Sequence, residues 1–196
     1  MENTKDNTMT SAQSEPTAPD RSGAPTPFVE LFNTFAVLWL KPETEGAVEG
    51  LQRLVDVLGL KPPFPLSSAE LQKEYARLFL GVGPETVSLC ESAWTSPLRL
   101  VCQEAQFECR RAYAAAGLAV PPDSGIPDDH LGMTAAFLAV SIEKGAWGAA
   151  RAFAANHPAK WVPAVAAQLA KRPDARIYRT VAEGFLKTLD RLQDER

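Results

Sequence analysis

The sequence predicts an all-α fold, a single-domain helical bundle of roughly eight or more helices. Apolar residues recur every three or four positions along most of the chain, which is the spacing of one helix face. No stretch of useful length alternates apolar and polar residues as a half-buried strand does. A chain of 196 residues with 45% hydrophobic content can bury one full core, so we expect one domain.

The first 26 residues differ from the rest of the chain in composition. They are rich in Thr, Ser, Pro, Asn and Asp and contain almost no large apolar residue, so burial cannot offset the entropy lost on ordering. Arg21 is their only arginine and no apolar run follows it, so the segment does not resemble an export signal. We expect residues 1–26 to be a disordered tail and residues 27–196 to form the helical domain.

Helix boundaries follow from proline, glycine and capping residues. Pro27 fits a first helical position, Ser67 and Glu70 form a capping-box pattern, and Gly59 and Gly117 fit helix ends. We expect helices at about residues 27–41, 43–58, 67–80, 96–116, 131–144 and 146–156, starts at Pro158 and Pro163, and a last helix at 174–191. Residues 82–95 read as an irregular loop that carries Trp94. A tryptophan in such a loop more often anchors the loop to the core than binds a ligand.

The turn at residues 125–132 holds one of the two histidines of the chain. Pro127 stiffens its entry, and either Asp128 or Asp129 is a candidate N-cap for the apolar helix that follows. His130 falls in the first turn, where the positive end of the helix dipole disfavours an imidazolium, so we expect a neutral ring. An ordinary capped helix start explains the same pattern.

Charge and cysteine content limit the partners. The net charge of −4 and the pI near 5.3 argue against nucleic acid or an anionic membrane as main partner. Three cysteines without a secretory signal indicate a reducing compartment. No apolar run approaches the roughly 20 residues that span a bilayer, so we expect a soluble cytoplasmic protein.

The residues give weak support to catalysis or metal binding. Cys90, His130 and an acid such as Glu91 or Asp129 supply the residue types of a hydrolase, but no motif fixes them as neighbours. The three cysteines and two histidines match no zinc spacing, and Cys102 and Cys109 are predicted to lie two turns apart on the inner stripe of one helix. No Gly-rich phosphate loop is present, since Gly81-Val82-Gly83 follows a helix and lacks the later Gly or Lys. We therefore expect no metal and no catalytic residues.

Four short stretches, in this order, resemble the TorD/DmsD family of cytoplasmic chaperones for molybdenum-containing oxidoreductases. They are Glu74-Tyr75-Ala76-Arg77-Leu78-Phe79-Leu80-Gly81, Glu91-Ser92-Ala93-Trp94, Pro127-Asp128-Asp129-His130, and Trp161-Val162-Pro163 followed by Ile177-Tyr178. The resemblance covers about Glu70 to Leu189. Two positions depart from the family pattern, because Gly125 stands where the family has Glu and no proline directly precedes Glu91.

The resemblance implies a TorD-like chaperone without catalysis, which binds the twin-arginine signal peptide and the apo form of a molybdoenzyme subunit. Such a receptor needs an apolar groove with acceptors at its rim. By this resemblance the peptide-binding residues are Tyr75, Leu78, Phe79, Glu91, Trp94, Pro127, Asp129 and His130, with Asp129 pairing with an arginine of the leader. Core packing of Leu78 and Phe79 is the alternative. A helical scaffold for a partner that is not exported is a further alternative. Some relatives bind guanine nucleotide and some exchange helices to form dimers, but no residue here indicates a nucleotide site or decides between monomer and dimer.

Overall fold

The computed structural model describes residues 26–63, 66–81 and 85–195. In this part of the chain there are nine α-helices, a short 3-10 turn at Pro122–Ser124, and no strand, so the predicted all-α class is confirmed. The helices are α1 (Pro27–Leu40), α2 (Ala47–Leu58), α3 (Ser68–Phe79), α4 (Ser92–Thr95), α5 (Glu104–Ala115), α6 (Leu131–Glu143), α7 (Trp147–Asn156), α8 (Pro158–Ala170) and α9 (Arg176–Asp194). The predicted tail lies outside the described residues except for Thr26, which is the N-cap of α1.

The centre of the bundle is the pair α1 and α6, which pack along each other more extensively than any other two described helices. On the other side of α1, Phe32 and Phe35 meet Phe185 of α9 edge to face, with ring centroids 6.0 and 5.0 Å apart. Edge-to-face contacts at these distances add to the gain from burying the rings. The apolar periodicity of these three helices therefore forms one continuous core.

Gly132 sets how closely α1 and α6 approach. A Cβ atom built at this position would lie 2.3 Å from Cγ of Leu40, the last residue of α1. No side chain larger than hydrogen fits there without displacing Leu40. The close approach brings the start of α6 against the end of α1. It thereby fixes the position of the turn before α6 relative to α1.

A buried carboxylate joins α3 to α9. Glu74 is 4% exposed, and its Oε1 accepts a hydrogen bond of 2.8 Å from the amide of Tyr178. Burial raises the pKa of Glu74, while hydrogen bonds from the amides of Tyr178 and Ile177 act in the opposite direction. Glu74 thus satisfies amides in the first turn of α9, which that helix cannot satisfy itself.

The predicted long helix at 96–116 is wrong in its first half. Helix α5 begins only at Glu104, and residues before it turn sharply, with positive φ at Arg99 (53°) and Cys102 (59°). The Ser96 hydroxyl accepts a hydrogen bond from the amide of Leu100, and a serine that bonds local amides competes with a helix. Cys102 is therefore exposed and not on an inner stripe, whereas Cys109 is buried as predicted.

Other boundaries shift less. Helix α2 begins at Ala47, four residues later than predicted from Glu43, and α9 ends at Asp194 instead of Arg191. Pro158 starts α8 as predicted, but Pro163 lies inside this helix on its exposed face. The carbonyl that loses its partner there can bond water, so the cost of an internal proline is reduced.

We predict that Gly132→Ala destabilises the fold by about 1–3 kcal/mol, because the added methyl group must displace Leu40 in a packed interface. The matched control is Gly148→Ala in α7, where an added Cβ meets nothing within 4 Å. This control should be neutral or stabilising by up to about 1 kcal/mol, since alanine favours a helix over glycine. Urea unfolding followed by circular dichroism compares the two, and equal effects would contradict the assigned close approach.

Candidate functional site

Two of the motifs singled out in the sequence meet in space. The amide of Leu131 donates to the carbonyl of Leu89 at 2.7 Å, and the amide of Glu91 donates to the carbonyl of Asp129 at 3.2 Å. Between these bonds, Cys90 and His130 form an isolated antiparallel bridge. We call residues 88–92 and 127–131 the junction, because their pairing joins the start of α4 to the start of α6.

The side chain of Asp129 links the two segments of the junction within the core. Its side chain is fully buried, and Oδ2 accepts hydrogen bonds from the amide of Ser92 at 2.7 Å and from the Ser92 hydroxyl. Oδ1 is also buried and has no hydrogen-bond partner among the described residues. The prediction that Asp129 is an N-cap of the following helix is wrong, because its acceptor serves Ser92 at the start of α4. As folded, the carboxylate lies beneath the surface, out of reach of an external arginine.

Asp128 ties α5 to the junction. Its Oδ2 accepts hydrogen bonds from Nη2 and Nε of Arg110 at 2.8 and 3.1 Å, and its carbonyl accepts one of 2.8 Å from the Tyr113 hydroxyl. Asp128 is 5% exposed, whereas Arg110 extends to the surface. Asp128 is therefore not an N-cap of α6 either.

His130 is the N-cap of α6. Its Nδ1 accepts a hydrogen bond of 3.1 Å from the amide of Gly132, in a helix start that lacks the predicted aspartate cap. Burial lowers the pKa of His130 to about 4, so the ring is neutral at physiological pH. The predicted charge state agrees, but its cause is the loss of water around the ring.

The side chain of Glu91 leaves the junction and reaches Cys109 and His157, which are distant from it in the sequence. Glu91 Oε2 lies 3.1 Å from His157 Nδ1, and Cys109 Sγ lies 3.7 Å from the same nitrogen. The three ligand atoms all lie within 4.8 Å of one another, and all three residues are buried. We call these residues the buried triad. Sequence reasoning missed it because the residues come from three separate elements with no fixed spacing.

Trp94 anchors its segment to the core as predicted, but it lies in the short helix α4, so the predicted irregular loop at 82–95 is wrong over its last four residues. Its Nε1 donates to the carbonyl of Ser88 at 3.0 Å, and its ring stacks on Trp161 of α8 at 6.4 Å. Pro127 is half-buried, and its carbonyl accepts a hydrogen bond of 3.1 Å from the amide of His130. Both residues hold the shape of the junction.

The three predicted peptide-binding residues of α3 face the core. Leu78 is fully buried, so in this conformation it cannot line a groove open to a peptide. Phe79 packs edge to face against Tyr178 and Trp39, at 4.9 and 5.7 Å, and the Tyr75 hydroxyl donates to the carbonyl of Trp39 at 3.1 Å. The core-packing alternative describes Leu78 correctly, while Tyr75 and Phe79 stay partly exposed.

An apolar groove of about 580 Å³ runs between α5, α6 and α7. Alanines form its walls and two buried phenylalanines its floor; the lining includes Ala112, Ala115, Ala116, Phe137, Ala146, Ala149, Ala152 and Phe153. Lys144, whose Nζ lies 3.4 Å from the Ala116 carbonyl, marks one end, and His157 of the buried triad marks the other. The volume is typical of ligand sites and suits a few large apolar side chains.

Carboxylates lie close to the His157 end of the groove, and Glu91 is 3.1 Å from His157 itself. Burial raises the pKa of the Cys109 thiol, and the charges of Glu91, Asp129, Asp128 and Glu108 raise it further. Glu108 is exposed and lies one helical turn before Ala112, on the face of α5 that lines the groove. This end therefore favours a cation.

The burial of Cys90 bears on the alternative that the protein is a hydrolase. The bridge brings Cys90 and His130 together, but burial raises the pKa of the Cys90 thiol to about 12, with Asp129 adding to the effect. A nucleophilic cysteine needs a lowered pKa, so this environment is the opposite of an activated one.

Comparison with models of protein families matches residues 40–167 to the family described as nitrate reductase delta subunit. The chain belongs to this family. The match extends from the end of α1 into α8 and thus includes the junction, the groove and the buried triad. No curated protein matches the chain significantly.

Membership of the nitrate reductase delta subunit family confirms the resemblance drawn from the sequence. These are NarJ/TorD-type chaperones that assist the maturation of molybdoenzymes. In the ranges 26–63, 66–81 and 85–195, no helix is both long and apolar enough to cross a membrane.

We predict that Asp129→Ala lowers the free energy of unfolding by about 1–3 kcal/mol, because the buried amide and hydroxyl of Ser92 lose their acceptor. Asp123→Ala, at an exposed aspartate of the 3-10 turn, is the control and should change little. Urea unfolding measures both. An Asp129→Ala protein as stable as the parent would show that the junction does not depend on this carboxylate.

We predict that His130→Asn makes the fold more resistant to acid. The pKa of His130 is about 4 in the folded protein, against an ordinary value of 6.5, so the histidine binds its proton more readily in the unfolded chain. Above pH 6.5 the ring is neutral in both states, so its titration does not affect stability. As the pH falls toward 4 the unfolded chain takes up the proton, and the free energy of unfolding drops by up to about 3 kcal/mol. Asparagine keeps a capping oxygen without titrating. Unfolding of both proteins from pH 7.5 to 4.5 gives the difference, which should grow on acidification; parallel curves would refute the assignment.

Proposed function

We propose that this chaperone binds the twin-arginine signal peptide of a molybdoenzyme subunit in the groove between α5, α6 and α7. It thereby holds the apoenzyme in the cytoplasm until the cofactor is inserted. The observation that carries the proposal is an apolar groove with carboxylates close to its His157 end, where Glu91 lies 3.1 Å from His157. A leader that joins an apolar segment to two arginines matches both parts.

The apolar part of the leader has a place to bury its side chains. Ala115, Ala149 and Ala152 are exposed on the walls, and Phe137 and Phe153 lie beneath them. Short side chains on the walls leave room between the helices, so a bound peptide gains contact with the phenylalanines. Burial of this surface contributes about 25 cal/mol for each Å² removed from water.

The arginines have a place at the His157 end. Glu108 is exposed there on the groove-lining face of α5, so it is the carboxylate that a guanidinium reaches directly. Asp128 and Asp129 are buried and act through their field, and Asp128 is already paired with Arg110. This arrangement gives the leader a direction, with its arginines toward His157 and its apolar segment toward Lys144.

The site residues expected from the sequence take a different part in this proposal. Glu91, Trp94, Pro127, Asp129 and His130 act by holding the junction and the end of α5 in place. Contact of the leader with Tyr75 and Phe79, which are partly exposed on α3, stays a prediction. We propose binding without catalysis, since burial raises the pKa of the Cys90 thiol and keeps it protonated.

We predict that Ala115→Arg and Ala152→Arg each weaken leader binding at least tenfold. The long cation fills the groove and repels the arginines of the leader. Ala114→Arg and Ala155→Arg are matched controls, because these alanines are exposed neighbours on the same helices and do not line the groove. Isothermal titration against twin-arginine leader peptides of molybdoenzymes from the same organism measures the affinities.

Two further arms separate the parts of the proposal. Replacing both leader arginines with glutamine should weaken binding to the parent protein, and Glu108→Gln should remove part of that difference. Absence of binding to any leader would count against the function itself. Equal losses in all four alanine variants would place the leader elsewhere on the surface.

A further inference from the structure

The buried triad has the composition and arrangement of a metal site. Cys109 comes from α5, His157 from the connection between α7 and α8, and Glu91 from the segment before α4. Their ligand atoms lie within 4.8 Å of one another, and in the part of the chain that is described no other such group of Cys, His and acidic residues occurs. We propose that Glu91, Cys109 and His157 bind a divalent transition-metal ion, with Zn²⁺ as the best match.

The distances suit a tetrahedral ion. With bonds of about 2.0–2.3 Å, two ligand atoms of a tetrahedral Zn²⁺ site lie roughly 3.3–3.6 Å apart. The observed separations of His157 Nδ1 from Glu91 Oε2 and from Cys109 Sγ are 3.1 and 3.7 Å, on either side of that range. The third pair closes by a small movement of the Glu91 and Cys109 side chains.

The choice of metal follows from the ligand types. A thiolate, an imidazole and a carboxylate together favour Zn²⁺ or Co²⁺ over Mg²⁺ and Ca²⁺, which take oxygen ligands. Binding displaces the thiol proton of Cys109 and requires His157 Nδ1 to be free of a proton, so the affinity for the ion should rise with pH.

The surroundings supply the charge that an ion needs. Glu91, Asp128 and Asp129 are all buried, and among the described residues Arg110 pairs with Asp128 while His157 contacts Glu91. Oδ1 of Asp129 has no partner in the described residues. A divalent ion in the triad would offset this excess of buried negative charge.

The supporting contacts hold the ligands in place. The Glu91 amide is bonded to the Asp129 carbonyl in the junction, and the His157 ring lies 4.6 Å from the ring of Phe153. His157 also lines the groove, so the triad lies next to a route by which an ion can enter. The three protein ligands would leave one coordination position for water or another ligand, as in zinc sites that remain accessible.

Cobalt titration tests the proposal directly. The full chain without a histidine tag is freed of metal with a chelator and titrated with Co²⁺. We expect one equivalent to bind with a thiolate-to-cobalt charge-transfer band, and Zn²⁺ to displace it. Cys109→Ser should abolish the band, and His157→Gln and Glu91→Gln should each weaken binding at least tenfold.

The chain offers a matched control for the cysteine ligand. Cys102 is exposed and lies outside the junction, so Cys102→Ser should keep the band. No band in the parent protein, or a band that persists in Cys109→Ser, would overturn the proposal. Circular dichroism checks that each variant folds.

A second measurement needs no variant. In the parent chain, Zn²⁺ should protect Cys109 from alkylation under mild urea while Cys102 stays reactive, as read by mass spectrometry of the labelled peptides. Equal labelling of Cys109 with and without Zn²⁺ would show that this position holds only the hydrogen bond between His157 and Glu91 and no ion. Because leader binding is measured separately by titration, failure of the metal site leaves that result unchanged.

Discussion

The hydrogen bonds from Ser92 to the Asp129 carboxylate are the constraint on which the rest of the site depends. They connect residues 37 positions apart in a region from which water is excluded. A buried carboxylate without donors is costly, so the amide and hydroxyl of Ser92 must stay in place once Asp129 is buried. This fixes the start of α4 and, one residue earlier, Glu91, which then reaches His157. The acidic end of the groove thus follows from one buried polar contact.

Helix α6 transmits the position of the junction to the groove. Its first turn contains the His130 cap and the close contact of Gly132 with Leu40, and two turns later Phe137 forms part of the groove floor. Packed interiors move as rigid pieces, so the cap and the floor keep their separation. On the other wall, α5 is held at the junction by Arg110 and Tyr113, both bonded to Asp128. The groove therefore has two walls that are fixed at the same point.

How much could be predicted from the sequence differs between fold and site. The fold class follows from periodicity, and boundaries at Pro27, Ser67, Gly59 and Pro158 follow from local chemistry. The turn at 96–103 could not be predicted, because Leu98 and Val101 keep a helix-like spacing, while the Ser96 hydroxyl accepts a hydrogen bond from the Leu100 amide and stabilises a turn. The sequence also suggested Asp128 and Asp129 as N-caps of α6. In the fold their carboxylates accept hydrogen bonds from Arg110 and Ser92 instead. The buried triad combines three elements that only folding brings together, so no spacing rule could reveal it.

The two proposals share one region of negative potential, and this relates them physically. A guanidinium at Glu108 and an ion in the triad are both attracted by Glu91, Asp128 and Asp129, whose charges act on Cys109 in common. An ion that neutralises part of this charge weakens the attraction left for an arginine of the leader, and a bound arginine weakens that for the ion. Because coupling between two binding sites is reciprocal, each must lower the affinity of the other by the same factor. The apolar half of the groove lies toward Lys144, at the end away from the triad, so the ion leaves its contribution unchanged. Metal would thus act on the arginines of the leader and spare its hydrophobic segment.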